Sequence, residues 1–509
     1  MSSFWDHIKV FLSYNDARPL IFTEGSFWLF YAILLLGYSI VYKKRLARTS
    51  YLLLFSFFFY FKSSGFFFIL LIFSTICDYT FGLLISKSSV KWKRKILVGI
   101  SVFINLSVLS FFKYSYFFVD TVNAAFGTDY QVFNFLSHWA NILVGATFDV
   151  TSIVLPVGIS FFTFQTISYT VDIYRRKVKP VTNIIDFGFY VSFFPQLVAG
   201  PIVRAAEFIP QLYRKYSLSK REFGHAVFLI INGMIKKVII SDYISLNFVD
   251  RVFQSPLSYS GFENLLATYG YSVQIYCDFS GYTDMALGVA LLLGFRLPIN
   301  FNSPYKAVNI TDFWRRWHIS LSSWLRDYLY IPLGGNRKGE VRTHINLMVT
   351  MLLGGLWHGA NFRFVIWGGI HGVSLVLHKL WVKIFPPTKK KSSIWRRLLS
   401  AFITFHVVCL SWIFFRADSM SKAVDMINQI TSRFGWHSFG AVIASYTPVM
   451  GLMIVALGVH WLPVQWKEYY RGLFIKSHLV IKALIIIAMA IVIFQVKSAD
   501  LQPFIYFKF

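Results

Sequence analysis

DFWRRWHISLSSWLRDYLYIPLGGNRKG (312–339) and TMLLGGLWHGANFRFVIWGGIHG (350–372) decide how this chain is read. The first crowds Asp312, Arg315, Arg316, His318, Arg326, Asp327, Arg337 and Lys338 among tryptophans and tyrosines. The second sets His358 in an apolar, glycine-rich run, where an ionisable group is expensive and so a functional candidate. Trp314, Trp317, Leu321, Leu325 and Tyr328 recur at three- and four-residue steps. That spacing predicts one helix over 314–328 with His318 on its inward face. The same pattern fits an interfacial helix with a satisfied histidine, in which Arg326 and Asp327 form an internal ion pair. Gly355 with Gly359, and Gly368 with Gly372, are small-xxx-small pairs that let helices approach closely. They account for the glycines but not for His358, whose neutral imidazole can take a proton from a hydroxyl and return it. His371, in the next apolar run, reads equally as a packed histidine.

Around this stretch the chain is strongly apolar. Of its 509 residues 56% are hydrophobic and 19% aromatic, only 14% are charged, and the mean hydropathy is +0.55. No soluble domain needs so much apolar surface, and repeated apolar runs long enough to cross a bilayer predict an all-α polytopic membrane protein. The net charge of +27, from 50 Lys and Arg against 23 Asp and Glu, lies in clusters between those runs. That is the positive-inside pattern and not a nucleic-acid surface. Cys77, Cys277 and Cys409 sit in apolar stretches without pairing or metal spacing and read as inert thiols. No cleavable signal peptide is expected, because the first apolar run lacks a basic leader and a small-residue cleavage site.

In chain order, residues 1–25 form an N-terminal interfacial segment, 26–416 the membrane core, and 417–509 an extension with two further spans. A first span over 26–42 stops at Lys43, Lys44, Arg45 and Arg48, and the runs 51–61 and 65–85 read as a hairpin. Spans follow at 96–119 and 142–166. Pro195, Gly200 and Pro201 make 187–204 a broken or re-entrant segment, tolerated only where the backbone is buried in protein or wet. Next come a span at 225–246 and an apolar run at 262–295 with a polar insertion, then a long amphipathic stretch over 296–342. Spans at 345–361, 364–381, 398–415, 442–462 and 479–496 complete the chain. The basic clusters at 43–48, 91–95 and 389–397 place those loops in the cytoplasm and both termini outside. No fixed-period repeat is visible, which argues against transporters built from repeats.

No HExxH, CxxC or paired carboxylates accompany the histidines, so no metal is expected. A GxSxG elbow is absent as well. The chemistry this leaves is a base-assisted transfer between two bound substrates.

FWRRWHISLSSWLRDYLYIPLGG with LLGGLWHGANFRFVIWGGIHG closely resembles the membrane-bound O-acyltransferase family, in particular its bacterial alginate O-acetyltransferase branch. PVGISFFTFQTISYTVDIYR (156–175), FFPQLVAGPIVR (193–204) and YCDFSGYTDMALG (276–288) are similar to the same branch, and the likeness runs from about residue 50 to 416. The resemblance implies about eleven or more transmembrane helices with re-entrant and interfacial elements around a thinned centre, entered by funnels from both faces. The interruptions at 187–204 and 276–342 fit that centre. His358 maps onto the family's near-invariant histidine and His318 onto its second polar residue. Asp278, Tyr282, Arg315, Arg316, Trp317, Ser320, Trp324, Arg326, Trp357 and Asn361 fall in the shared motifs as candidate substrate-binding residues. An acyl group would pass from a cytoplasmic thioester, acetyl-CoA or an acyl carrier phosphopantetheine, to hydroxyls of an extracytoplasmic polysaccharide. No permanently bound cofactor is implied. The branch works with a separate periplasmic partner of the SGNH esterase type, and the setting is a bacterial inner membrane. D-alanyl transfer to teichoic acid, and a non-catalytic polysaccharide transporter or scaffold, are the competing readings.

Overall fold

Apolar runs bounded by basic residues fold here as helices, since a chain in hydrocarbon must satisfy its backbone hydrogen bonds internally. A computed structural model describes residues 12–15, 19–145, 147–386 and 393–496; among them there are helices and no strands. Most of the segment expected at 1–25, the basic loop at 389–391 and the C-terminal end lie outside the described residues. The chain divides into two compact units, Met1–Val198 with Ile202–Lys215 and Gly359–Asn361, and Ala199–Pro201 with Tyr216–His358 and Phe362–Phe509.

In the first unit, α1 (Gly25–Val41), α2 (Arg45–Ser64), α3 (Phe68–Lys87) and α4 (Lys91–Phe126) follow in order. Gly65, at φ +57°, turns the chain between α2 and α3. A Cβ on Gly188 would touch both Leu53 and Thr75 within 4 Å. Those two residues would stand about 33 Å apart on one straight helix, so the hairpin is real. Of the first basic cluster, Arg45 pairs with buried Asp186 at 2.7 Å and Arg48 donates to the Leu212 carbonyl at 2.6 Å.

The span expected over 142–166 does not exist. The short helix α5 (Phe135–Val144) ends at Gly145, φ +65°, and α6 (Ile159–Tyr174) begins only after Gly158, φ +73°. Between them Asp149 caps a turn, accepting from the Thr151 N–H and hydroxyl at 2.8 and 2.7 Å. α6 is buried on nearly every face and carries polar groups into a network around Asp78. There the Ser101 hydroxyl (2.7 Å) and the Asn105 amide (2.8 Å) donate to the carboxylate. The segment 187–204 is broken as expected. α7 (Ile184–Ser192) and α8 (Phe194–Leu197) give way to irregular buried backbone before α9 (Ala205–Leu212). Side chains satisfy it: Gln165 and Gln196 both donate to the Tyr190 carbonyl, and the Tyr190 hydroxyl donates to Val203.

The second unit is organised on a helix pair. α10 (Lys220–Met234) continues through π-helical turns into α11 (Asp250–Gln254), giving 35 helical residues, and packs on α12 (Gly261–Leu292). A Cβ on Gly233 would lie 2.5 Å from the Gly281 carbonyl oxygen, and one on Gly281 2.7 Å from that of Gly233. Only glycine permits backbones this close. The polar insertion at 276–288 does not interrupt α12, contrary to expectation. Its carboxylates are matched across the pair, Asp278 to Lys237 at 2.6 Å and Asp284 to Lys236 at 2.7 Å, and Asp242, on Lys237's own helix, adds a contact to Lys237 at 2.7 Å.

After Leu292 the chain is irregular, apart from a single 3-10 turn at Pro304–Lys306, until α13 (Ile310–Arg316) and α14 (Ile319–Leu325). The continuous helix expected over 314–328 is therefore broken at Trp317–His318. α15 (Glu340–His358), α16 (Phe362–Ile384) and α17 (Ile394–Arg416) follow, then the amphipathic α18 (Met420–Ser432). Each of the last two spans is part of a bent pair. α19 (Phe439–Ser445) meets α20 (Thr447–Trp461) at 87°, and α21 (Val464–Lys476) meets α22 (Leu479–Val496) at 111°.

Five described helices are long and apolar enough to cross a membrane, seven if each bent pair counts as one. Eleven are not reached by this measure. α1 is only 17 residues long, Arg45–Lys87 counts once though it is a hairpin, and α6 and α12 are polar-rich core helices.

Candidate active site

His358 is the last residue of α15, and glycines set its position. A Cβ on Gly355 would come within 2.2 Å of the Phe364 carbonyl oxygen, and one on Gly368 within 2.2 Å of that of Met351. α15 and α16 thus touch backbone to backbone, and the imidazole is 3% exposed. Trp357, Trp367 and Phe415 meet it edge-on, with ring centroids at 4.9, 4.9 and 5.2 Å.

His318 is placed differently. It is the turn between α13 and α14, a non-glycine residue at φ +43° and fully buried. L-residues enter this region at a cost of roughly 1–2 kcal/mol, so surrounding contacts must hold it there. Asn300 does so. Its Oδ1 accepts from the Ser320 N–H (3.1 Å) and hydroxyl (3.0 Å) and lies 3.1 Å from His318 Nδ1, while its carbonyl takes the Ile319 N–H. An oxygen that already accepts from a backbone amide makes Nδ1 the donor. The neutral ring therefore carries its hydrogen on Nδ1 and presents Nε2 as an acceptor. Phe279 packs edge-on at 4.7 Å, and Trp357 lies 6.2 Å from the ring. Trp357 therefore contacts both histidines and joins them in one buried cluster.

The other expected residues divide. Trp317 is buried, stacked on Phe313 at 5.7 Å and against Trp412 at 5.1 Å. Ser320 joins the Asn300 cluster, and Trp324 packs on Tyr328 at 5.2 Å. Tyr282 is buried on α12, one turn from Asp278, whose carboxylate is held by Lys237. Of the arginines, Arg316 is tied to Asp312 at 2.9 Å, Arg326 to Asp327 at 2.7 Å as expected, and Arg315 is exposed. Asn361 is exposed in the turn after His358. His371 backs the cluster: its Nε2 lies 3.0 Å from the Ser411 hydroxyl and its ring 4.7 Å from Trp367.

Sequence reasoning missed Asn300 and Phe279. Asn300 left no signal, being one polar residue in an aperiodic loop. Among the described residues no three His, Cys, Asp or Glu side chains are grouped to hold a metal.

Fold and site together describe a multi-pass membrane protein with two buried histidines beside one tryptophan. Residues 57–417 match the model of MBOAT, the membrane-bound O-acyltransferase family, and the chain belongs to that family; it is an O-acyltransferase. It is 36% identical over 465 residues to the probable alginate O-acetylase AlgI of Pseudomonas putida, covering 86% of this chain and 89% of that protein. It is 37% identical over 380 residues to the peptidoglycan O-acetyltransferase of Helicobacter pylori (70% and 68%). The teichoic acid D-alanyltransferase of Bacillus subtilis is 30% identical over 272 residues (51% and 68%).

Proposed function

We propose that this enzyme moves an acetyl group from a cytoplasmic thioester, acetyl-CoA or an acylated phosphopantetheine carrier, to hydroxyls of an extracytoplasmic polysaccharide. The observation that carries the reading is the buried pair His318 and His358 on either side of Trp357. Relatives named for O-acetylation of alginate and peptidoglycan support a glycan hydroxyl as acceptor. The D-alanyltransferase aligns over only 51% of this chain, which favours acetyl over D-alanyl.

In this mechanism the imidazole of His358 takes the acceptor's hydroxyl proton as its oxygen attacks the thioester carbonyl. The new C–O bond forms, the C–S bond breaks, and the thiolate leaves with the proton from His358. Because α15 ends at His358, the negative end of its dipole favours the transient imidazolium. His318 orients the acceptor through a second, non-reacting hydroxyl of the sugar: Nε2 of the neutral ring accepts that hydroxyl's hydrogen, and Asn300 fixes that tautomer. Acylation of His358 itself is the variant in which the group is handed to a separate periplasmic SGNH-type protein. The setting is the bacterial cytoplasmic membrane, with the basic loops inside.

The test is purified enzyme in nanodiscs, given labelled acetyl-CoA or acetylated carrier protein with alginate or peptidoglycan oligosaccharides. Label appearing as a base-labile ester on a glycan supports the reading. No transfer to any glycan, with or without a periplasmic fraction, overturns it.

A further inference from the structure

We infer that the cavity between α10, α21 and α22 is a binding site for a phosphate group carried on an apolar tail, namely the headgroup end of an anionic phospholipid. The cavity measures about 1240 Å³. That is far more than a bare phosphate fills and somewhat above the roughly 300–1,000 Å³ of sites for drug-sized ligands, which leaves room for a larger amphiphile.

Its lining combines two chemistries. Lys220, Arg221, Arg471 and Lys476 are basic, and the one acidic residue among them, Glu468, is ion-paired with Arg471. Among the described residues, no carboxylate lies within ion-pair distance of Lys220, Arg221 or Lys476. Leu218, Phe223, Ile475 and Leu479 supply apolar lining to the same cavity, and Leu479 is 64% exposed.

The floor is built in advance of any ligand. A Cβ on Gly224 would lie 3.1 Å from the Ile475 carbonyl oxygen, so the end of α21 rests closely on α10. Buried Lys482 reaches back from α22 to donate to the carbonyls of Ile475 and Ser477. These bonds tie down the 111° reversal between α21 and α22 and commit Lys482 to structure.

Depth identifies the occupant. α10 begins its 35-residue apolar run at Lys220, and α22 begins its own at Leu479. Two spanning segments thus enter hydrocarbon beside the cavity, which puts it at the level where lipid headgroups meet the start of the acyl chains, matching its mixed basic and apolar lining. Clustered Lys and Arg at that level select anionic lipid of the cytoplasmic leaflet. The inference holds whatever the acyl acceptor is.

The full chain would be purified from nanodiscs of phosphatidylcholine doped with phosphatidylglycerol, and retained phosphatidylglycerol counted by native mass spectrometry. Lys220→Glu with Lys476→Glu should lower retention by about an order of magnitude, while Lys220→Arg with Lys476→Arg should keep it. Gly472→Trp gives a second handle that leaves every charge in place. Gly472 lines the cavity, and a Cβ there meets nothing within 4 Å, so a side chain can start from this position and its indole would occupy cavity space. It should also lower retention. Soluble glycerol phosphate, which lacks the tail, should fail to displace the lipid. Undiminished retention in the Glu/Glu and Trp variants overturns the site, and displacement by glycerol phosphate overturns the lipid assignment.

Discussion

His318 and His358 reach the same tryptophan by opposite routes. His358 rides the end of a regular helix whose partner is held by glycine contacts, so its position follows from the packing of α15 on α16. His318 sits in a left-handed turn between two seven-residue helices, and its position depends on one amide, Asn300, eighteen residues upstream. The first arrangement spreads positional control over many backbone contacts, whereas the second concentrates it in one hydrogen-bonded residue. A base that must reclaim its position at every turnover suits the first. A group that orients a substrate through a fixed tautomer suits the second.

The largest effect should therefore come from His358. His358→Ala, in protein shown to be folded and membrane-inserted, should lower acyl transfer by about 10²–10⁴-fold, the usual contribution of a positioned base. Substantial activity in that variant would falsify the assignment. Next comes the support beneath it. Gly368→Ala places a methyl group about 2.2 Å from a backbone oxygen that cannot rotate away, so α15 and α16 must separate. Overpacking of this kind costs roughly 1–3 kcal/mol, and the expected result is a lower melting temperature with His358 displaced. A melting curve like that of the unmodified protein would show that the glycine contact is not what sets the pair.

On the other side of the comparison, Asn300→Ala should cost less, about tenfold in kcat. It leaves the buried Ser320 N–H without its acceptor and releases the His318 tautomer. Asn300→Asp, which keeps the acceptor oxygen, should recover part of the rate; equal losses in both would remove Asn300 from the positioning role. At His318 itself the backbone gives a sharper reading. His318→Ala and His318→Gly both remove the imidazole, but only glycine relaxes φ +43°. The glycine variant should be the more stable of the two by about 1 kcal/mol, the reverse of their order inside a helix. Thermal unfolding in the same detergent decides it.

This contrast also marks what the sequence could show. Glycine spacing and an ionisable group in an apolar run are visible without a structure, which is why His358 and the close α15–α16 pair were legible. The hairpin at Gly65 and the broken stretch at 187–204 were legible for the same reason, since glycine and proline punctuate the chain openly. A left-handed turn occupied by histidine carries no such mark, so the apolar spacing across 314–328 imitated one helix. The polar run at 276–288 imitated an interruption because its partners, Lys236 and Lys237, lie on another helix. Hydropathy also hid the bends in the last two spans. Pro448, which disfavours helix in the residue before it, lies at the start of α20 where the first bend falls, whereas the second bend, at Ser477–His478, carries no proline or glycine to mark it.

The smallest effect separates the arginines that flank His318. All three are candidate substrate-binding residues, and guanidinium groups suit the phosphates of a thioester carrier, but the structure gives them different freedom. Arg326 is held by Asp327 through two hydrogen bonds, at 2.7 and 3.1 Å. Arg316 is held by Asp312 and by the Asn302 carbonyl. Arg315, exposed at the end of α13, is the one positioned to reach a ligand from solvent. A solvent-screened ion pair contributes about 0.2–1 kcal/mol, so Arg315→Ala should raise KM for the thioester donor no more than about fivefold. Binding lost equally from ground and transition states leaves kcat unchanged. Arg326→Ala should change neither constant, because its guanidinium already answers to Asp327. If instead Arg326→Ala raised KM as much as Arg315→Ala did, the ion pair would have to open on donor binding. The arginines would then belong, like His318, to a stretch whose working geometry is set by its contacts.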